Sequence, residues 1–176
     1  MSDQHPRPRV VVATVALGRS SVREDLANLV VDELDAAKFT FVRGVTVNRE
    51  KSFITQLISH ISNSNEADAI VFIGGVGIGP RDYTCEAIDE LADRRIEGFG
   101  EAFRELLRTE LQVGVGSLLA RAMAGVCNKC VVIALPRQPI PLQIGMRRLV
   151  VPTLVEAVRT AAGIRPPLSA GPPSAG

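Results

Sequence analysis

Four short β-branched runs, separated by stretches of helical spacing, constrain this chain more than any other feature. They are Val10 to Val15, Phe39 to Val47, Ala69 to Ile73 and Lys129 to Leu135. All but the second read as apolar on both sides of a pleat. Such strands must be covered on both faces, which points to a parallel sheet between helical layers. The intervening segments carry the helical period. Leu26, Leu29, Val30, Leu34 and Ala37 form one stripe; Phe53, Ile54, Leu57 and Ile61 form another over about Glu50 to Ser62. The expected fold class is α/β, a three-layer αβα domain with a mostly parallel central sheet.

Boundary signals refine this reading. Ser20 or Ser21 can cap the first helix, with Glu24 three residues after Ser21 as a capping box. Thr84 caps a helix to about Ala92, and Glu101 to Glu110 carries Phe103, Leu106 and Leu107 on one face. Leu118 to Ala124 reads as a short helix ended by Gly125. The last helix spans about Leu142 to Ala161, where Pro152 must kink or split it. The expected organisation is a flexible terminus at 1–9, one domain at 10–162 and a disordered Pro/Ser/Gly tail at 163–176. A length of 176 residues suits one domain.

Composition serves to exclude. Hydrophobic residues at 46% and charged residues at 22% rule out general disorder. Twenty basic and 19 acidic residues leave a net charge of +1, which excludes binding nucleic acid or membrane by bulk charge. No apolar run approaches the roughly 20 residues that cross a bilayer, and Met1 to Arg9 lacks an apolar targeting core. The three cysteines, Cys85, Cys127 and Cys130, cannot all pair. Cys127-Asn128-Lys129-Cys130 has CxxC spacing, but only His5, His60 and Cys85 remain to complete a zinc site. Reduced thiols in a cytoplasmic protein, with no structural metal, are expected.

Open α/β sheets bind ligands at the carboxyl ends of their strands. Four loops lie there: Ala16 to Ser20, the turn at Asn48, Gly74 to Asp82, and Pro136 to Pro139. Gly74-Gly75-Val76-Gly77-Ile78-Gly79 places four glycines in six residues directly after a strand. It lacks the Gly-Lys-Ser/Thr of a P-loop and the downstream acid of a dinucleotide fingerprint. On spacing alone, a tight turn and an anion-binding loop fit equally well. Arg81-Asp82 follows; a cation beside an anion suits phosphate orientation and Mg²⁺ binding, or an ordinary surface pair. Pro136-Arg137-Gln138-Pro139 is a rigid loop or simple punctuation. Arg121, Arg147 and Arg148 suit phosphate or solvent, and Asp93-Arg94-Arg95 reads as a solvated run. His60 is given no role.

Taken together, these segments resemble one family. Gly74-Gly75-Val76-Gly77 followed by Pro80 to Ala87 is similar to the Gly-Gly-Thr-Gly…Arg-Asp-x-Thr-x-Glu-Ala signature of the MoaB/MogA molybdopterin-binding proteins. Ile96 to Arg104, Ala120 to Val126 and Leu135-Pro136-Arg137-Gln138-Pro139 resemble the segments that follow it. The resemblance runs from about Val10 to Ala162 and is closer to the MoaB branch. It implies a three-layer α/β domain, a homotrimer or a pair of trimers, and a role in molybdenum cofactor biosynthesis. The implied ligand is molybdopterin, whose terminal phosphate is adenylylated with ATP and Mg²⁺. Carried onto this chain, Asp82 becomes the catalytic acid and Mg²⁺ ligand. Gly74, Gly75, Val76, Gly77, Arg81, Asn48, Ser117, Arg121, Pro136, Arg137, Gln138 and Pro139 become the binding set.

The chain also departs from the family pattern. Val76 replaces the threonine of the glycine loop, Asn48 an acid, Ala120 a serine, and Arg137 the glycine of the Leu-Pro-Gly loop. Ala16-Leu17-Gly18, beside Arg19, stands where Ser-Asp/Asn-Arg is usual. A lost hydrogen bond to a charged group costs about 1.5–3 kcal/mol, so two or three such losses remove about 10³ in rate or more. Two alternatives follow: a non-catalytic oligomeric binding or scaffold protein, or a pocket for another phosphorylated ligand with Arg137 replacing a lost contact.

Overall fold

A computed structural model describes residues 7–16, 21–112 and 115–164. Its order is β1 (Arg9–Val15), α1 (Ser21–Ala36), β2 (Thr40–Val47), α2 (Lys51–Ser64), β3 (Ala69–Ile73) and α3 (Thr84–Leu91). There follow β4 (Arg94–Arg95), α4 (Gly98–Leu111), a 3₁₀ turn (Val115–Leu119), β5 (Met123–Cys127) and β6 (Cys130–Leu135). The chain closes with α5 (Pro139–Gly145), a π turn (Met146–Val150) and α6 (Val151–Ala161).

The strands form one six-stranded sheet in the order β2-β1-β3-β6-β5-β4. The first four are parallel, while β5 runs antiparallel to both β6 and β4. Alternate residues of the central strands divide between two cores. Val10, Val12, Val71, Ile73, Ile133 and Leu135 face one layer, with Phe103 of α4, Leu142 of α5 and Leu154 of α6. Val11, Ala13, Ile70, Phe72, Val132 and Ala134 face the other, with Ile54 and Ile58 of α2 and Ile88 of α3. Burial on both faces accounts for the unbroken apolar runs. Each fully buried Ile or Phe contributes about 1.5–3 kcal/mol of transfer free energy.

Several local expectations need correction. Phe53 is 45% exposed, and the inner stripe of α2 is Ile54, Ile58 and Ile61. Leu118 to Ala124 is not a helix: the 3₁₀ turn ends at Leu119 and the chain enters β5 at Met123. The CxxC is the hairpin between β5 and β6. Asn128 (φ 43°) and Lys129 (φ 69°) form its two-residue turn, as primed turns require. Cys127 and Cys130 are a facing pair across the hairpin, buried and free. Arg94-Arg95 is a charged edge strand, a usual guard against strand addition. The last helical pattern is split: the π turn precedes Pro152, whose missing N–H breaks the regular ladder. β1 begins at Arg9. The loop at Leu17 to Ser20, the Ser21 side chain of the capping box, His5 and the tail from Arg165 lie outside the described residues.

Candidate functional site

β3 and β6 are neighbours and parallel, so the loops leaving their carboxyl ends meet. The Gly74 N–H donates to Leu135 O at 2.8 Å, tying the two exits together. Between these loops, α4 and the 3₁₀ turn lies a cleft of about 510 Å³. Its walls include Gly74, Gly75, Val76, Gly77, Asp82, Ser117, Pro136, Arg137 and Gln138, with Leu107, Leu111, Leu119 and Ala120.

The glycine loop has the conformation its composition predicts. Gly74 (φ 99°) and Gly75 (φ 70°) sit where side chains are disfavoured. A Cβ on Gly75 would meet Thr84 Oγ1 at 2.1 Å. Thr84 is fully buried and is not the cap of α3; that position is Tyr83. The Thr84 hydroxyl donates to Gly74 O at 2.9 Å, and its N–H donates to Gly75 O at 3.0 Å. The first turn of α3 thus holds the loop from below.

Asp82 closes the loop from the other end. Its Oδ2 accepts the Gly79 N–H at 3.1 Å, and a Cβ on Gly77 would lie 2.6 Å from that oxygen. Glycine is therefore needed there for the carboxylate to reach the cleft. The second oxygen, Oδ1, has no partner among the described residues.

Arg121 lies outside the cleft walls, as a brace beneath the loop. Its Nε donates to Gly77 O at 2.8 Å and its Nη2 to Asp82 O at 2.9 Å. Its guanidinium also pairs with Glu86 of α3. The Arg121 N–H donates to Val76 O at 3.0 Å, and Cys85 Sγ donates to Arg121 O at 3.0 Å. Burial acts to raise the Glu86 carboxyl. The Arg121 hydrogen bond, with the charges of Arg121 and Lys51, more than offsets this and holds it below its ordinary value of 4.5. Burial pushes the Cys85 thiol up to about 12, so it stays protonated.

Three other candidate residues are not brought into the cleft walls. Arg81 is exposed outside them. Asn48 turns its Oδ1 to the Glu50 N–H at 3.1 Å, an Asx turn at the start of α2. Pro139 begins α5, leaving Pro141 as the lining proline. Arg147 pairs with buried Glu33 at 2.6 Å, and Arg148 with Glu110 at 2.8 Å. Sequence reasoning missed the brace by Glu86 and the apolar wall of Leu107, Leu111 and Leu119. The helical period marked Leu107 only as a packing residue, and nothing local announces a wall assembled across 12 residues of chain.

A sequence-family profile described as "Probable molybdopterin binding domain" matches residues 10–156. Molybdenum cofactor biosynthesis protein B of Staphylococcus epidermidis is 41% identical over 103 residues, 58% of each chain. A protein of Methanocaldococcus jannaschii named "Probable molybdopterin adenylyltransferase" is 35% identical over 115 residues, 65% of this chain and 66% of that one. Each match spans less than two thirds of the relative's length. A crystal structure of a molybdenum cofactor biosynthesis protein B superposes with a TM-score of 0.83 at 27% identity, covering 91% of this chain and 99% of that one. With the profile spanning nearly the whole folded region and the sheet shared with a solved member, the chain belongs to the molybdopterin-binding domain family of molybdenum cofactor biosynthesis proteins.

Proposed function

We propose that this protein acts in molybdenum cofactor biosynthesis by binding molybdopterin in the glycine-loop cleft and adenylylating its terminal phosphate with ATP. The observation that carries this reading is the half-buried Asp82 carboxylate, held over a glycine loop that leaves its Oδ1 without a partner among the described residues. The name of the M. jannaschii relative supports the adenylyl transfer. In that reaction a phosphate oxygen of the pterin attacks the α-phosphorus of ATP, and pyrophosphate leaves with the electron pair of the broken P–O bond. Such transfers demand positioning and charge neutralisation more than covalent chemistry.

The residues fit a substrate-borne Mg²⁺. The described residues hold no cluster of three His, Cys, Asp or Glu side chains. Mg²⁺ in phosphoryl-transfer sites commonly takes one or two carboxylates and completes its shell with phosphates and water. Asp82 would supply one such ligand. When bound, Mg²⁺ neutralises charge building on the phosphates. Asp82, fixed by the Gly79 N–H and by the Arg121 brace on its carbonyl, orients that end of the cleft.

The family resemblance supports a cytoplasmic homotrimer or pair of trimers. Ile78 (69% exposed), Leu118 (65%) and Ile140 (61%) are exposed apolar side chains on or beside the cleft segments, of the kind that assembly would cover. The test is anaerobic calorimetry with molybdopterin, followed by Mg-ATP and product analysis. Binding followed by molybdopterin-AMP is expected. Binding without product reduces the protein to a carrier, and no binding refutes the proposal.

A further inference from the structure

The cleft walls carry two charged side chains among the described residues, Asp82 and Arg137. Asp82 is engaged by the Gly79 N–H. Arg137 is exposed and has no hydrogen bond or ion pair among the described residues. Its stem lies along the start of the glycine loop: a Cβ on Gly74 would be 3.8 Å from Arg137 Cβ and 4.0 Å from its Cδ. The next three residues, Gly75, Val76 and Gly77, also line the cleft. No protein group accepts from their backbone N–H groups among the described residues. A guanidinium and three amide donors, all without a partner among the described residues, therefore belong to the same part of the cleft lining, where β3 and β6 end. The lining contributed by α4 and the end of the 3₁₀ turn is Leu107, Leu111 and Leu119, which offers no charge.

We infer that Arg137 and the Gly75 to Gly77 amides form the anchor for a phosphate group of the bound ligand, with the rest of the ligand turned toward the leucine lining. The inference rests on the proposed binding of a phosphorylated ligand and adds which end of the cleft holds the phosphate and which residue selects it. Apolar Val76 offers no hydroxyl in this loop. A guanidinium supplies a charge-assisted contact instead, one that strengthens with phosphate charge and can be bidentate. The cleft then discriminates by the presence of a phosphate dianion. That dianion belongs to the pterin or to the nucleotide; both present the same oxygens.

The test is calorimetry on wild type, Arg137→Gly and Arg137→Lys with inorganic pyrophosphate, ATP, adenosine and, anaerobically, molybdopterin. Arg137→Gly should weaken pyrophosphate and at least one phosphorylated ligand by about tenfold or more. Adenosine binding should not change, and lysine should restore part of the loss. The ligand that suffers more identifies the source of the phosphate. Arg137-dependent pyrophosphate binding without any binding of molybdopterin or ATP would sink the proposed function and leave the anchor standing. The anchor is overturned if wild type binds no pyrophosphate, if Arg137→Gly binds all phosphorylated ligands within twofold of wild type, or if adenosine is lost equally.

Discussion

Gly75→Ala is the sharpest test of how this loop is held. Three costs act together. The residue sits at φ 70°, where a side chain costs about 1–2 kcal/mol. The new Cβ would lie 2.1 Å from Thr84 Oγ1, with Thr84 Cβ at 3.2 Å and Val15 Cγ1 at 3.4 Å. Thr84 is fully buried and cannot swing into solvent, so overpacking adds about 1–3 kcal/mol. Displacing the hydroxyl breaks its 2.9 Å bond to Gly74 O, worth about 0.5–1.5 kcal/mol. The total of about 3–6 kcal/mol is a large share of the roughly 5–15 kcal/mol that holds a domain together. In urea, with a slope of about 2 kcal/mol/M, the midpoint falls by about 1.5–3 M, at fixed protein concentration if the chain assembles. In a Thr84→Ala background, which removes Oγ1, the same substitution should cost at least about 1 kcal/mol less. A midpoint within experimental error of wild type, or costs that add without coupling, would refute the steric account.

Asp82→Asn keeps an oxygen that can accept the Gly79 N–H, so it should leave the unfolding free energy within about 0.5 kcal/mol of wild type, while abolishing Mg²⁺-dependent formation of molybdopterin-AMP; unchanged turnover removes Asp82 from the chemistry. Because the Glu86 carboxyl is held below its ordinary value of 4.5, its contribution is present above that pH and disappears as pH falls through the folded value. Acid titration of wild type below about pH 4.5 should therefore loosen the loop, and Glu86→Gln should flatten that response; identical acid profiles would contradict it. Burial raises the thiols of Cys127 to about 11 and of Cys130 and Cys85 to about 12. Alkylation by iodoacetamide at pH 8, followed by mass spectrometry, should be slow in the native protein and fast in urea. Rapid native labelling would show that the hairpin opens.

The α/β class, the placement of β1, β2, β3 and β6, and the loops worth searching were legible in the sequence because their causes are local. β-branched runs, the 3.6-residue period and glycine clustering act within a few residues. The hairpin from β5 to β6 was not legible. Met123 to Cys127 contains alanine and glycine, and Asn128-Lys129 lacks the glycine that usually announces a primed turn. The roles of the arginines were no more visible. Arg121 and Arg137 are both cations near strand ends in the chain order. Only the folded chain brings Glu86, 35 residues away, against one of them and leaves the other, beside Gly74, without a partner among the described residues. Charge pairing is decided by distances across the sheet, which no local pattern encodes. Sequence therefore determined where a loop must bend and which faces must be buried; tertiary structure decided which of the charged groups were consumed in holding that loop and which one remained free in the cleft.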